Sequence, residues 1–143
     1  MATVVVISAV YNTARFLRET VESVAAQTML PEEHILIDDC STDNSLSLAR
    51  QLEYEFQHVR VITHERNRGY PAALNTGLLA SHSEFVGILD SDDIAMPHWL
   101  KTVVPVLEAD SRVGAIGGGC VMMTEKGEVT GCEMYCEESG DIT

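Results

Sequence analysis

The first apolar run, Thr3 to Ala9, reads TVVVISA, short and β-branched, which predicts a strand buried on both faces. Asn12 is then expected to cap a helix whose apolar positions Leu17, Val21 and Val24 fall on one face. The pattern repeats along the chain. HILID at 34–38 predicts a second strand, with Ser41 and Asp43 as cap candidates for a helix carrying Leu48, Leu52 and Phe56. VRVITH at 59–64 predicts a third strand, and Pro71 is placed as the first residue of the helix that follows it. FVGILD at 85–90 predicts a fourth, after which Pro97 opens a helix through Trp99, Val103 and Leu107. VGAIGGG at 113–119 reads as a fifth strand, and VMMT with VTG around a turn at 125–128 reads as a hairpin.

Strands alternating with helices at this spacing predict an α/β fold with a mostly parallel, Rossmann-like sheet and right-handed crossovers, ending in a β-hairpin. In such folds ligands bind beyond the carboxyl ends of the strands. Val10 to Asn12, Asp38 to Ser41 and Asp90 to Asp93 all lie at that edge. At 143 residues the chain suits a single domain, with 3–119 as the α/β region and 120–143 as hairpin and acidic tail.

Charge narrows the chemistry. The 22 acidic against 9 basic residues give a net charge of −13, which leaves no positive field for a phosphate backbone and excludes nucleic acid as a partner. The same charge repels an anionic nucleotide unless a cation intervenes, so an acidic site for such a ligand implies a metal. Cys40, Cys120, Cys132 and Cys136 show neither CxxC nor zinc spacing and read as reduced thiols. The absence of a long apolar stretch and of a signal-peptide pattern gives the expectation of a cytoplasmic chain.

The acidic edge loops are the candidates for that site. Asp90, Ser91, Asp92 and Asp93 close the fourth strand; alternation in an extended segment would turn Asp90 and Asp92 to one point, where carboxylate oxygens favour Mg²⁺ or Mn²⁺. A helix cap would account for one aspartate and not for three. Asp39 at the second strand's end is placed to accept hydrogen bonds from a base or sugar, whereas Asx and Ser/Thr turns account for Ser41, Thr42 and Asp43 without a ligand. Tyr11 is placed to stack on a base or to cover the sheet edge, and Arg68 in HERNRG to meet a phosphate or stay solvated. His34, His58, His64 and His82 stand at element edges without ligand spacing and read as structural. No GxSxG, GxxxxGKS or GxGxxG motif is present, which sets aside serine hydrolases, P-loop enzymes and dinucleotide oxidoreductases.

Five segments in order, VVVISAVYN, LRETVESVAAQT, ILIDDCSTDNS, HERNRGYPAALNTGL and EFVGILDSDDIAMPHWL, give the chain a wider likeness. Over residues 3 to about 119 it resembles the inverting family 2 glycosyltransferases, which have the GT-A fold. The resemblance implies that Ala9 and Tyr11 line a nucleotide pocket, that Asp39 bonds the base, and that Asp90 and Asp92 form the DxD motif. There the first aspartate would face ribose or metal and the second would bind a cation bridging the diphosphate, with Asp93 as a helper. It also implies a nucleotide-sugar donor, UDP-linked by preference, a glycan or lipid-linked acceptor, and an acceptor hydroxyl that attacks the anomeric carbon while a base removes its proton.

Family catalytic domains run on into an acceptor half that supplies that base. The expectation is therefore that this chain is the donor-binding part, with the base beyond residue 143. Glu133, Glu137, Glu138 and Asp141 are the late carboxylates that could substitute for it, but their segment lacks the apolar pattern that would hold one within reach of a hydroxyl, and self-association would follow from an uncovered sheet face. A signalling receiver would need acids after the first strand and a lysine after the fifth. Here the acids follow the second and fourth strands, and the lysines are Lys101 and Lys126. A non-catalytic nucleotide-sugar-binding or assembly module remains the alternative.

Overall fold

The computed structural model describes residues 2–133, so Cys136, Glu137, Glu138 and Asp141 lie outside the described residues. Its elements run β1 (Val4–Val10), α1 (Leu17–Ala25), β2 (Glu33–Asp38), α2 (Ser45–Glu55), β3 (Val59–Thr63), α3 (Tyr70–Ala80), β4 (Phe85–Ile88), α4 (Trp99–Ala109), β5 (Cys120–Met123) and β6 (Val129–Glu133). The chain divides into two compact units, 1–104 and 105–143. Among the described residues no helix is long and apolar enough to cross a membrane.

The first unit carries a four-stranded sheet in the order β3-β2-β1-β4, and every pair in it is parallel. The continuous apolar runs of β1 and β2 are explained by burial on both faces. Val4, Val6 and Val10 meet helices α1, α2 and α4 through Val21, Val24, Leu52 and Leu100, while Val5, Ile7, Ile35 and Ile37 meet α3 at Ala73 on the opposite face. The helical stripe Leu17, Val21 and Val24 is fully buried, each side chain contributing about 1.5–3 kcal/mol. Helix α3 lies so close to the sheet that a Cβ on Gly77 would stand 2.6 Å from the Cγ2 of Ile7 and 2.8 Å from the Cδ1 of Ile37.

In the second unit β5 and β6 pair antiparallel around the turn at 124–127, forming the hairpin that the sequence predicts. The segment 113–119 forms no strand. Three successive glycines give it maximal backbone entropy to lose and no side chain to bury.

The helix caps also differ from expectation. Asn12 does not cap α1, which starts at Leu17 with Phe16 before it and no side-chain cap. Asn12 adopts a left-handed backbone, φ 56°, which asparagine tolerates, and its Oδ1 accepts from the backbone N–H groups of Thr42 (2.8 Å) and Asp43 (3.2 Å). In return Ser41 Oγ accepts from the N–H of Asn12, Ser45 Oγ from that of Thr13, and Asp43 Oδ2 from that of Ala14. Ser41 and Asp43 thus tie the loop after β2 to the loop after β1. Asp43 also serves α2, accepting from the N–H of Ser45 at 2.8 Å. Pro71 is the second rather than the first residue of α3, one place after Tyr70.

Candidate functional site

The loops after β1, β2 and β4 and the start of α3 enclose a cleft of about 360 Å³ at the carboxyl edge of the sheet. Ala9, Tyr11 and Thr13 form one side, and Asp39, Asn67 and Gly69 another. Tyr70 and Ala73 of α3, with Asp90, Ser91 and Asp92, complete it. Of the residues singled out in the sequence, Ala9, Tyr11, Asp39, Asp90 and Asp92 are gathered here, whereas Asp93 and Arg68 are not among the lining. Arg68 instead borders a separate concavity with Thr63, His64, Glu65 and Arg66.

Asp90 to Asp93 form a turn, closed by the N–H of Asp93 donating to the carbonyl of Asp90 at 3.1 Å, and not the extended segment the sequence suggested. The presence of both Asp90 and Asp92 at the cleft therefore has another cause. Ser91 between them is buried and anchored, its Oγ accepting from Thr13 Oγ1 at 3.0 Å and its carbonyl from Thr20 Oγ1 at 3.0 Å, and both neighbours are left exposed. Helix α1 and the residues just after it continue the anchoring. Ser23 Oγ accepts from the N–H of Ala95, and the Gln27 amide donates to the Met96 carbonyl and accepts from the N–H of Leu100. Burial first, and then the charges of Asp90 and Asp92, push the Asp93 carboxyl above its usual range.

Asp39 is buried and heavily engaged. Its Oδ1 accepts from His64 Nδ1 (2.7 Å) and the Arg68 N–H (2.8 Å), and its Oδ2 from the Gly69 N–H (2.7 Å). Burial pushes its carboxyl up, yet the bonds from His64, Arg68 and Gly69 outweigh that and hold it below the ordinary aspartate value. Asp39 thus pins the 64–69 loop while still bordering the cleft. Asp38 beside it is buried, and its Oδ2 accepts from the Ser41 N–H. Tyr11 stands at the mouth, about half exposed.

Two features escaped the sequence reading. The Tyr70 hydroxyl donates to Asp90 Oδ1 at 2.7 Å, and burial, then Asp90, push its pKa up to about 12, so it stays a donor. Buried beneath the acidic turn, Ser8 Oγ donates to the Leu89 carbonyl at 2.6 Å, which leaves its oxygen to accept from His34 Nε2 at 2.9 Å. His34, the second residue of β2, is wholly buried, and burial, then the charge of His58, lowers its pKa to about 3, so the imidazole is neutral. The one available signal was polar: Ser8 and His34 interrupt otherwise apolar strands.

Asp90 and Asp92 suit a small hard cation. Mg²⁺ and Mn²⁺ need only one or two carboxylates when substrate phosphates and water complete the shell. Among the described residues no group of three or more His, Cys, Asp or Glu forms a ready-made cage, so Asp93 is not placed as a third ligand.

A parallel α/β sheet with an acidic cleft at its carboxyl edge fits a GT-A architecture. The chain belongs to glycosyl transferase family 2, whose family model matches residues 5–130. It is 37% identical over 109 residues to glycosyltransferase GlyG of Streptococcus pneumoniae, covering 76% of this chain and 36% of that protein. It is 34% identical over 101 residues to the succinoglycan biosynthesis protein ExoO of Rhizobium meliloti, covering 71% and 28%. The chain thus spans about a third of the length of these curated relatives. Among solved structures it resembles the mannosyltransferase PcManGT of Pyrobaculum calidifontis in complex with GDP-Man and Mn²⁺, with TM-score 0.71 and 29% identity, over 82% of this chain and 34% of that one. Residues 1–349 of S. aureus TarS in complex with UDP match with TM-score 0.67 and 30% identity, over 75% and 32%.

Proposed function

We propose that this chain is the donor-binding part of a glycosyltransferase, holding a nucleotide diphosphate sugar with a divalent ion, Mn²⁺ or Mg²⁺, at Asp90 and Asp92. The observation that carries the reading is the gathering of Tyr11, Asp39, Asp90 and Asp92 around one cleft from three separate loops. Tyr11 would pack against the base, and Asp39, with its carboxylate fixed on the 64–69 loop, would select the base edge. A divalent ion here would supply electrostatic stabilisation of the charge that develops on the departing diphosphate. The TarS complexes with UDP and UDP-GlcNAc and the PcManGT complex with GDP-Man support the nucleotide-sugar donor class, within which UDP is our proposal.

The carboxylates that line the cleft all have other tasks: Asp39 holds a loop, and Asp90 and Asp92 hold the ion. Deprotonation of an acceptor hydroxyl, on a glycan or lipid-linked acceptor, therefore falls to a group outside this lining. The chain should bind donor without transferring sugar. Calorimetric titration of UDP-sugars and GDP-sugars with Mn²⁺, followed by a turnover assay on the same preparation with a panel of acceptors, tests this. Binding without transfer is expected, and robust transfer would place the base within the 143 residues and end this division of labour. The same proposal carries a cytoplasmic location, which fractionation of expressing cells checks.

A further inference from the structure

We infer that Tyr70 sets the metal selectivity of the acidic turn by holding one carboxylate oxygen of Asp90, so that Asp90 ligates through the other alone. The inference rests on the reading that Asp90 and Asp92 hold a divalent ion. Its basis is the 2.7 Å bond from the Tyr70 hydroxyl to Asp90 Oδ1, which joins residues 20 apart in sequence.

Both partners are fixed from behind. Tyr70 is the first residue of α3 and follows Gly69, whose φ of 86° suits glycine and whose N–H is held by Asp39 Oδ2 at 2.7 Å. Pro71 stiffens the next position, and α3 itself is seated on the sheet at Gly77. On the other side, residue 89 is clamped to β1. Its N–H donates to the Ile7 carbonyl at 3.1 Å, and its own carbonyl accepts from Ser8 Oγ at 2.6 Å. The backbone is held on both sides of the bond, so the bond constrains which oxygen Asp90 presents.

That constraint has a chemical consequence. Mg²⁺ and Mn²⁺ demand near-octahedral geometry and accept single carboxylate oxygens, whereas Ca²⁺ takes more ligands at longer range and often both oxygens of one carboxylate. A carboxylate with one oxygen committed to a strong hydrogen bond favours the smaller ions. Tyr70 acts through Asp90 and is a positioning residue.

The test is titration of Mn²⁺ and of Ca²⁺ into the full 143-residue chain with saturating UDP, for the parent, Tyr70→Phe, Asp90→Asn and the double variant. Unfolding midpoints measured alongside establish that each is folded, and phenylalanine keeps the ring that helps wall the cleft. Tyr70→Phe should weaken Mn²⁺ binding by about 10-fold while Ca²⁺ binding falls less or rises, narrowing the preference for Mn²⁺. In the Asp90→Asn background the same change should have no effect on the ratio. An unchanged ratio, tighter Mn²⁺ binding, or an equal effect with Asn at position 90 would overturn the role of Tyr70 and leave the donor site standing. Failure of the parent to bind Mn²⁺ and UDP at all would remove the donor site and this inference with it.

Discussion

The buried carboxylate of Asp39 couples the cleft to pH. Its folded-state pKa is lowered, so the folded protein releases this proton more readily than the unfolded chain does. The stability it contributes is therefore complete above the unfolded aspartate value of about 4 and is lost as pH falls through the lower, folded value. Asp39→Ala should cost roughly 3 kcal/mol at pH 7, because the N–H groups of Arg68 and Gly69 lose a charged acceptor. Denaturant unfolding at pH 7 and pH 3 checks this: the gap between parent and variant should shrink at the lower pH. A gap that stayed constant would mean that the carboxylate charge does not hold the loop. Asp39, Asp90 and Asp92 were legible in the sequence because each follows an apolar strand. Tyr70 was not, since nothing in local periodicity announces a hydrogen bond across 20 residues.

Elements are where the chain was easiest to read, and its errors there have physical causes. Helix α1 carries an apolar stripe at Leu17, Val21 and Val24 and beside it a polar one at Thr20 and Ser23, which Gln27 extends just past the helix end. The first stripe predicted the helix. The second holds residues 91–100 by their backbone and could have been noticed at the same helical spacing. Strand 113–119 was misread because a short apolar run reads as strand wherever it occurs, and three glycines then win. Packing supplies the sharpest prediction at this scale. Gly77→Ala should destabilise the fold by about 1–3 kcal/mol, since the new methyl would press on Ile7 and Ile37 within the helix-sheet contact. Alanine's better helix propensity offsets about 1 kcal/mol at most. A thermal unfolding midpoint equal to or above the parent's would show that α3 can move off the sheet without cost.

For the molecule as a whole, surface and charge act in opposition. Strand β4 ends the sheet and exposes Val86 and Ile88, at 37% and 50%, on the face that carries α3. An edge strand with apolar side chains favours self-pairing, whereas a net charge of −13 disfavours it. Screening decides between them. Self-association should grow with protein concentration and with salt, and Ile88→Lys should suppress it, as sedimentation velocity at about 0.05 and 0.5 M salt would report. A parent that stayed monomeric throughout would show that this edge is harmless.

The same negative charge bears on the central claim, that an ion at Asp90 and Asp92 carries the donor diphosphate into an acidic cleft. The most direct measurement is calorimetric titration of UDP into the parent with Mn²⁺, into the parent with a chelator, and into Asp92→Asn with Mn²⁺. Chelation should weaken binding by at least about 10-fold, and Asp92→Asn with Mn²⁺ should bind no better than the chelated parent. Equal UDP affinity in all three would contradict that claim.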